Sequence, residues 1–355
     1  MSGLRTPPPT TSGLPTTRSS TRDLQQQHRI GVDLGGTKIE AVVVALGPTG
    51  PTAEGRPVEL ARARVATNRD LGYEHVLSET RALVFEVATR AGIDPLATPI
   101  GVGMPGSTTM RRLDGSTSDV PLVKNSNTTC LNGRPFRDDL ARSVGRPIAF
   151  SNDANCFALA EATWGAARGA RVAFGVIMGT GVGGGVVIAN DAGVPRAWDG
   201  AQGIAGEWGH VVLDPVNGPE CYCGRRGCIE TYLSGPALER EYLRRAGVKR
   251  RLSEIATLAG AAPAIDADVA AEEARIAREL LAERVDVFGR ALATVIDILD
   301  PDVVVLGGGA SNLDVLYDEG PRAVARWVFN DGLMTKIAKH ALGDSAGVLG
   351  AALLP

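Results

Sequence analysis

The chain of 355 residues predicts an α/β protein built as two lobes on one plan, and three features carry that expectation. An apolar run, a glycine turn and a returning apolar run occur at 30–45 and again at 172–189. Helical patterns alternate with short apolar runs at 73–91 and 154–164. A long amphipathic stretch at 268–299 then leads into a fully apolar strand at 303–306. Strands alternating with helices are the pattern of a layered α/β fold.

With 44% hydrophobic and 22% charged residues, the chain has enough apolar material for two lobes. A net charge of -3 offers no general attraction to nucleic acid or an anionic membrane, so neither is expected as a partner. Any anionic ligand must be held by a local site. No apolar run reaches the roughly 18 residues that span a bilayer, and the first residues lack a signal-like apolar core, so a cytoplasmic location is expected. Residues 1–28, rich in Pro, Ser, Thr and Gln, cannot offset the entropy of ordering and read as a disordered tail.

In chain order, residues 30–34 and 41–45 flank Gly35, Gly36, Thr37 and Lys38 as a strand, a tight turn and a returning strand. The helical stretch 73–91 and strands at 99–104 and 147–150 complete a first lobe of residues 29–150, joined by 343–355 from the other end. The second lobe, 151–342, opens with a helix from Ala154 to about Trp164, then strands at 172–178 and 185–189 around a glycine run. Leu281, Val285, Phe288, Leu292, Val295 and Leu299 recur at spacings of three and four, so 268–299 is a helix, ended by Asp300-Pro301. A short apolar helix at 346–354 is expected to pack back on the first lobe.

The glycine loops exclude two common readings. Gly179-Thr180-Gly181-Val182-Gly183-Gly184 formally matches a dinucleotide fingerprint, but that motif needs a following helix and here a strand follows. Residues 31–38 miss a P-loop in the same way. Both retain hairpin turns rich in glycine, whose backbone N–H groups can cradle phosphate oxygens. Gly35, Gly36, Thr37 and Lys38 form one such candidate, Gly179, Thr180, Gly181 and Gly183 a second, and Gly307, Gly308 and Gly309 a third. Asp33 would repel phosphates unless a cation lay between them, a role for Mg²⁺. One loop alone reads as a structural turn; three with an embedded acid read as a phosphate site. Cys221, Cys223 and Cys228 lie within eight residues of a chain without a secretory signal, which favours metal over disulfides.

Jointly, DLGGTK (33–38), GVGMPGS (101–107), SNDANCFALAE (151–161), MGTGVGGG (178–185), GEWGH (206–210), CYCGRRGCIET (221–231) and DPDVVVLGGGASN (300–312) resemble the ROK family of sugar kinases from Arg29 to Leu354. The resemblance implies an actin-like ATPase (ribonuclease H-like) fold, two lobes with a central cleft closing over ATP and sugar. It implies transfer of the γ-phosphate of ATP to a hexose hydroxyl, with 307–309 near the adenosine. His210 joins the three cysteines as four ligands for a closed, structural Zn²⁺. The C-x-C-x4-C spacing is that of the ROK zinc motif and not of a generic finger. The alternative, three buried thiols, fits poorly with an exposed Gly224, Arg225, Arg226 and Gly227 between them.

By the same resemblance Glu207, His210 and Glu230 contact the sugar, His210 through the ring nitrogen that is not on zinc. Asp153, by position a helix N-cap, becomes the catalytic base, with Asn152 beside it as a sugar ligand. The polar loop 123–136 resembles that of the bacterial fructokinase/mannokinase branch, so D-fructose is the expected acceptor, with mannose and glucose as secondary ones. Asn127 in this loop is either a hydroxyl contact or a turn cap, and Cys130 stands where that branch usually carries Trp. N-acetylglucosamine is the alternative acceptor. ROK regulators carry a DNA-binding domain before the phosphate turn, whereas here 28 residues precede Arg29 and both Asp33 and Asp153 are kept. A kinase is therefore expected over a regulator, and a homodimer is implied by resemblance alone.

Overall fold

The first apolar runs pair with one another through their β-branched residues. In the computed structural model, which describes residues 27–47, 57–112, 114–260 and 269–354, β1 (Gln27–Leu34) turns back into β2 (Lys38–Leu46), and β3 (Val58–Ala66) returns beside it. Helix α1 (Tyr73–Ala91) covers this meander. Strand β4 (Ile100–Met104) then runs parallel to β1, Val102 opposite Val32. A hairpin of β5 (Ser107–Arg111) and β6 (Thr117–Lys124), followed by α2 (Phe136–Val144), leads to β7 (Ala149–Asn152). The sheet order is β3-β2-β1-β4-β7.

After α3 (Asp153–Trp164) the plan repeats. Strands β8 (Val172–Met178), β9 (Val182–Ala189) and β10 (Pro195–Ala197) form an antiparallel meander. Helices α4 (Glu230–Leu233), α5 (Gly235–Ala246), α6 (Leu252–Gly260) and α7 (Val269–Leu299) precede β11 (Val303–Gly307), which runs parallel to β8. Two short helices, α8 (Val315–Asp318) and α9 (Gly320–Ala325), then bring in β12 (Lys336–Lys339), and α10 (Ala346–Ala351) follows. The second sheet runs β10-β9-β8-β11-β12, so each sheet joins a three-strand meander to two parallel strands. That shared order is the one plan expected from the repeated glycine turns.

Two helices fill the space between the sheets. Ten of the twelve residues of α3 are buried, Asn155 and Glu161 among them, so the helix is covered on nearly every face. It packs on β8 and β9, while α10 packs on β1, β2 and β4 and against α3 itself. Gly101 permits the second contact: a Cβ there would stand 1.9 Å from the Ala351 carbonyl oxygen. At the end of α3 the buried Glu161 carboxylate accepts backbone N–H groups from Ala166, Ala341 and Leu342 at 2.8, 3.0 and 2.9 Å. These charge-assisted bonds fasten α3 to the segment that leads into α10. On the far side of the second sheet, α7 buries Leu281, Val285, Phe288 and Leu292, the stripe expected from their spacing.

Some boundaries differ from the sequence reading. Gln27 and His28, assigned to the tail, pair with Leu46 and Ala45 as the start of β1; the rest of that tail lies outside the described residues. The strand expected at 147–150 is β7, two residues later, and the helix expected from Ala154 begins at Asp153. Strand β9 starts at Val182, three residues before the expected 185, so Gly183 and Gly184 join Gly185 as strand residues and are not a turn. Their smallness serves packing: a Cβ on Gly185 would lie 2.2 Å from the Ala154 carbonyl oxygen. Among the described residues no helix is long and apolar enough to cross a membrane.

Candidate active site

The site is built around the junction of β7 and α3. Asn152 has extended backbone and caps α3: its side-chain oxygen accepts the Ala154 N–H at 2.8 Å, and its amide donates to the Gly106 carbonyl at 2.9 Å. The cap is therefore Asn152 and not Asp153. Asp153, the first helical residue, also accepts the Ala154 N–H through Oδ1 at 2.8 Å. The carboxylate stands at the positive end of a twelve-residue helix. Burial nevertheless raises its pKa above the ordinary value.

A cleft of about 260 Å³ opens onto Asp153. It collects Asn127, Asn152, Glu207, His210 and Glu230, all expected on the acceptor side, together with Gly179, Thr180, Gly181 and Gly183 from the second glycine loop. Burial pushes the Glu207 carboxyl up, opposed by His210 and reinforced by the charges of Asp153 and Glu230. Glu230 heads α4, and its Oε2 accepts the Val182 N–H at 2.9 Å. One carboxylate thus links the cysteine-rich segment to the glycine loop.

The first phosphate turn borders this cleft without lining it. A Cβ on Gly36 would come 3.3 Å from Asn127 Oδ1, so the polar loop 123–136 lies against the turn, and Arg69 holds it there through the Asn127 carbonyl at 2.7 Å. The turn itself closes with Gly35 N–H donating to Lys38 O at 2.9 Å, and Thr67 ties it down through the Gly35 carbonyl at 2.7 Å. Thr37 is exposed at its tip. Lys38 does not reach the cleft; its ammonium pairs at 3.4 Å with the fully buried Glu40, which also binds Arg62 and Arg64. Gly307, Gly308 and Gly309 are likewise absent from the cleft wall. Gly307 ends β11, and Gly308 sits against the Met178 carbonyl, where β8 runs into Gly179.

At the end of β1, burial and then the neighbouring charge of Asp153 raise Asp33 to about 7. The two half-buried acids repel, and a proton or a cation between them relieves the repulsion. Since the unfolded Asp33 titrates near 3.8, the folded state holds the extra proton between about pH 4 and 7, and stability falls as pH rises through that window. Replacing Asp33 by Asn removes the effect. Asp33→Asn is expected to unfold at higher denaturant than wild type at pH 8, by up to about 4 kcal/mol, with no advantage at pH 4. The comparison is made without nucleotide or magnesium; equal midpoints at pH 8 would contradict the assignment.

His210, Cys221, Cys223 and Cys228 come together as the sequence predicts, their ligand atoms within 4.8 Å of one another. The Cys223 and Cys228 sulfurs are 3.6 Å apart, as are Cys221 Sγ and His210 Nδ1. These separations suit tetrahedral ligands about 2.3 Å from a zinc ion and are too long for a disulfide of about 2.05 Å. All five cysteines are free. Gly224, Arg225 and Arg226 are exposed, but Gly227, expected at the surface, is buried against the Asp214 carbonyl. With Nδ1 facing the sulfurs, His210 Nε2 faces the cleft and meets the Tyr222 hydroxyl at 3.0 Å.

Tyr222, Asn125, Pro105 and Gly106 also line the cleft and were not foreseen. Tyr222 carried a faint signal, an exposed aromatic between two cysteines. Asn125 carried none: its left-handed φ of 58°, which Asn tolerates better than most residues, is seen only in the fold.

Two sheets of one strand order, each a meander joined to two parallel strands, define an actin-like α/β fold, with a carboxylate and a glycine loop lining one cleft. Residues 29–355 match the ROK family, and the chain belongs to it. N-acetyl-D-glucosamine kinase from Photobacterium profundum is 35% identical over 336 residues, covering 91% of this chain and 98% of its own. The crystal structure of the ROK hexokinase from Thermus thermophilus is similar with a TM-score of 0.72 and 32% identity, over 92% of this chain and 97% of that one. That of a ROK family glucokinase from Streptomyces griseus, in complex with glucose and AMPPNP, gives 0.66 and 29%, over 92% and 98%.

Proposed function

We propose that this protein is an ATP-dependent sugar kinase whose acceptor is N-acetyl-D-glucosamine. The observation that carries the kinase reading is the cleft itself, whose wall brings Asp153 together with Glu207, His210 and Glu230 and with Gly179, Thr180, Gly181 and Gly183. A sugar hydroxyl held there attacks the γ-phosphorus of ATP and passes its proton to Asp153, while the bond from that phosphorus to the β-phosphate bridging oxygen breaks and ADP leaves. Asp33 would hold Mg²⁺, which supplies charge neutralisation at the phosphates. The four-ligand cluster would hold a structural Zn²⁺ that stiffens the acceptor side. Most of the acceleration then rests on alignment and charge stabilisation.

The acceptor is the alternative to fructose, and two observations support it. The relative named above acts on N-acetyl-D-glucosamine by name. In addition Asn125, Gly206, Glu207, His210 and Tyr222 line both the cleft and a much larger outer cavity of about 1240 Å³, so a substituent bulkier than a hydroxyl has room to extend. Fructose remains the second reading, on the strength of the polar loop 123–136. ADP release with ATP and a panel of N-acetylglucosamine, glucose, mannose and fructose tests both. We expect N-acetylglucosamine to exceed fructose in kcat/KM by about tenfold or more, the range that a well-placed substituent contact supplies; the reverse order restores fructose. As a further part of the proposal, the protein acts as a homodimer in the cytoplasm, and light scattering at twice the chain mass tests the former.

A further inference from the structure

We propose that Asp199 is a positioning residue for phosphoryl transfer, a brace that holds the Asp153 segment and the Glu207 segment in one arrangement. The inference rests on the kinase reading above. Asp199 lies two residues beyond β10, on the loop that runs to Gly206 and Glu207. Its Oδ1 accepts two hydrogen bonds, one from Ser151 Oγ and one, at 2.8 Å, from Asn155 Nδ2. These partners stand two residues before and two residues after Asp153, so one carboxylate oxygen brackets the base from both sides.

The far end of each bond is itself held. Asn155 is 1% exposed, and its side-chain oxygen accepts the Val186 N–H from β9 at 3.0 Å, which leaves its amide only one way to face. Ser151 is buried in β7, the edge of the first sheet, whereas Asp199 follows β10, the edge of the second. The brace therefore spans the two sheets beneath the cleft. On its own side, the Asp199 carbonyl accepts the Ala205 N–H at 3.1 Å, and Ser107 Oγ donates to the Gly203 carbonyl, so the loop delivers Glu207 from a closed frame. Asp199 lines a separate cavity behind Gly106 and Asn152 and not the cleft that holds Asp153. Its influence passes through Ser151, Asn155 and the loop.

A misplacement near 1 Å at a reacting group can cost about 100-fold in rate. Asp199→Ala is accordingly expected to lower kcat per folded molecule roughly 10- to 100-fold, with KM for ATP within about threefold. Asp199→Asn keeps an acceptor oxygen for Ser151 and Asn155 and should recover most of kcat. Adding Ser151→Ala to Asp199→Ala should cost nothing more, because both remove the same brace. Amide hydrogen exchange across 151–156 should rise in Asp199→Ala, a readout independent of activity. A merely structural residue would reduce the folded fraction and leave kcat per folded molecule alone. Such a result, or full additivity of the two substitutions, overturns the proposal. If Asp199→Ala does not fold, Ser151→Ala alone decides: unchanged kcat and unchanged exchange overturn it. Inactivity of the wild type on every sugar would instead strike the kinase reading, leaving the exchange measurement to judge the brace.

Discussion

Asp153→Asn is expected to lower kcat by about 1000-fold, within the range assigned to a positioned general base, while KM for ATP and for the sugar stays within about threefold. The split follows from the geometry. The Asn side chain keeps an oxygen for the Ala154 N–H that Asp153 Oδ1 accepts at 2.8 Å, and the cap of α3 is carried by Asn152, so the helix start is unchanged. The acceptor side is held by Glu207, His210 and Glu230, and the hydrogen bonds of the last two run to Tyr222 and Val182 rather than to Asp153. What is lost is a carboxylate able to accept the hydroxyl proton. Steady-state kinetics with titration calorimetry for the sugar provide the measurement. A kcat within tenfold of wild type would remove Asp153 from the role of base, and a large rise in sugar Kd would make it a binding residue.

Much of this site was legible because its chemistry is written in short contiguous motifs. Asp33 with Gly35-Gly36, Asn152-Asp153, Gly179-Thr180-Gly181 and the Cys221–Cys228 cluster each announce a turn, a cap or a ligand set within a few positions, and the fold brings the second and third to one cleft, which the cluster reaches through His210 and Tyr222. The long helix α7 was legible for a similar reason, since the period of its apolar residues states which face is buried. The hidden parts depend on distant partners. Strand β3, VELARARVA, carries Arg62 and Arg64, which look solvated until the fold sets them on the buried Glu40 of β2. Lys38 reads as a phosphate ligand from the turn it ends, yet in the fold it faces the same glutamate. Gly183 and Gly184 read as a loop because glycine weakens strand propensity, yet they are strand residues, Gly184 making room for Phe174 and Trp208 as Gly185 makes room for α3. Asp199 has no motif at all; its significance exists only because Ser151 and Asn155, distant from it in sequence, converge on one oxygen.

Removal of the metal from the four-ligand cluster should be felt by the sugar more than by the nucleotide. Protein purified without chelator is expected to carry about one zinc per chain, and stripping it should weaken sugar binding by about 10- to 100-fold, the usual effect of disturbing groups that orient through a metal shell. The path is short. Nδ1 of His210 faces the sulfurs while Nε2 meets the Tyr222 hydroxyl on the cleft wall, so a zinc held by the cluster would fix the ring's orientation toward the acceptor. Glu207 lies three residues before His210, and Glu230 two residues after the fully buried Cys228, with Cys228 bridged to Val212. The ATP side is tied to these segments by Glu230 to the Val182 N–H, by Trp208 Nε1 to the Gly183 carbonyl and by the Gly235 N–H to the Gly179 carbonyl, each at 2.9 Å, so nucleotide affinity should shift by less than about threefold if those bonds survive. Cys228→Ser is the genetic counterpart: its sulfur is buried and cannot be replaced by water, so the variant should lose both zinc and sugar affinity, and added zinc should not restore them. Metal analysis and calorimetry on the same samples separate the outcomes. Full sugar affinity in a zinc-free protein would show that protein packing alone orients His210 and Glu207, and would reduce the cluster to four neighbouring side chains with no part in acceptor binding.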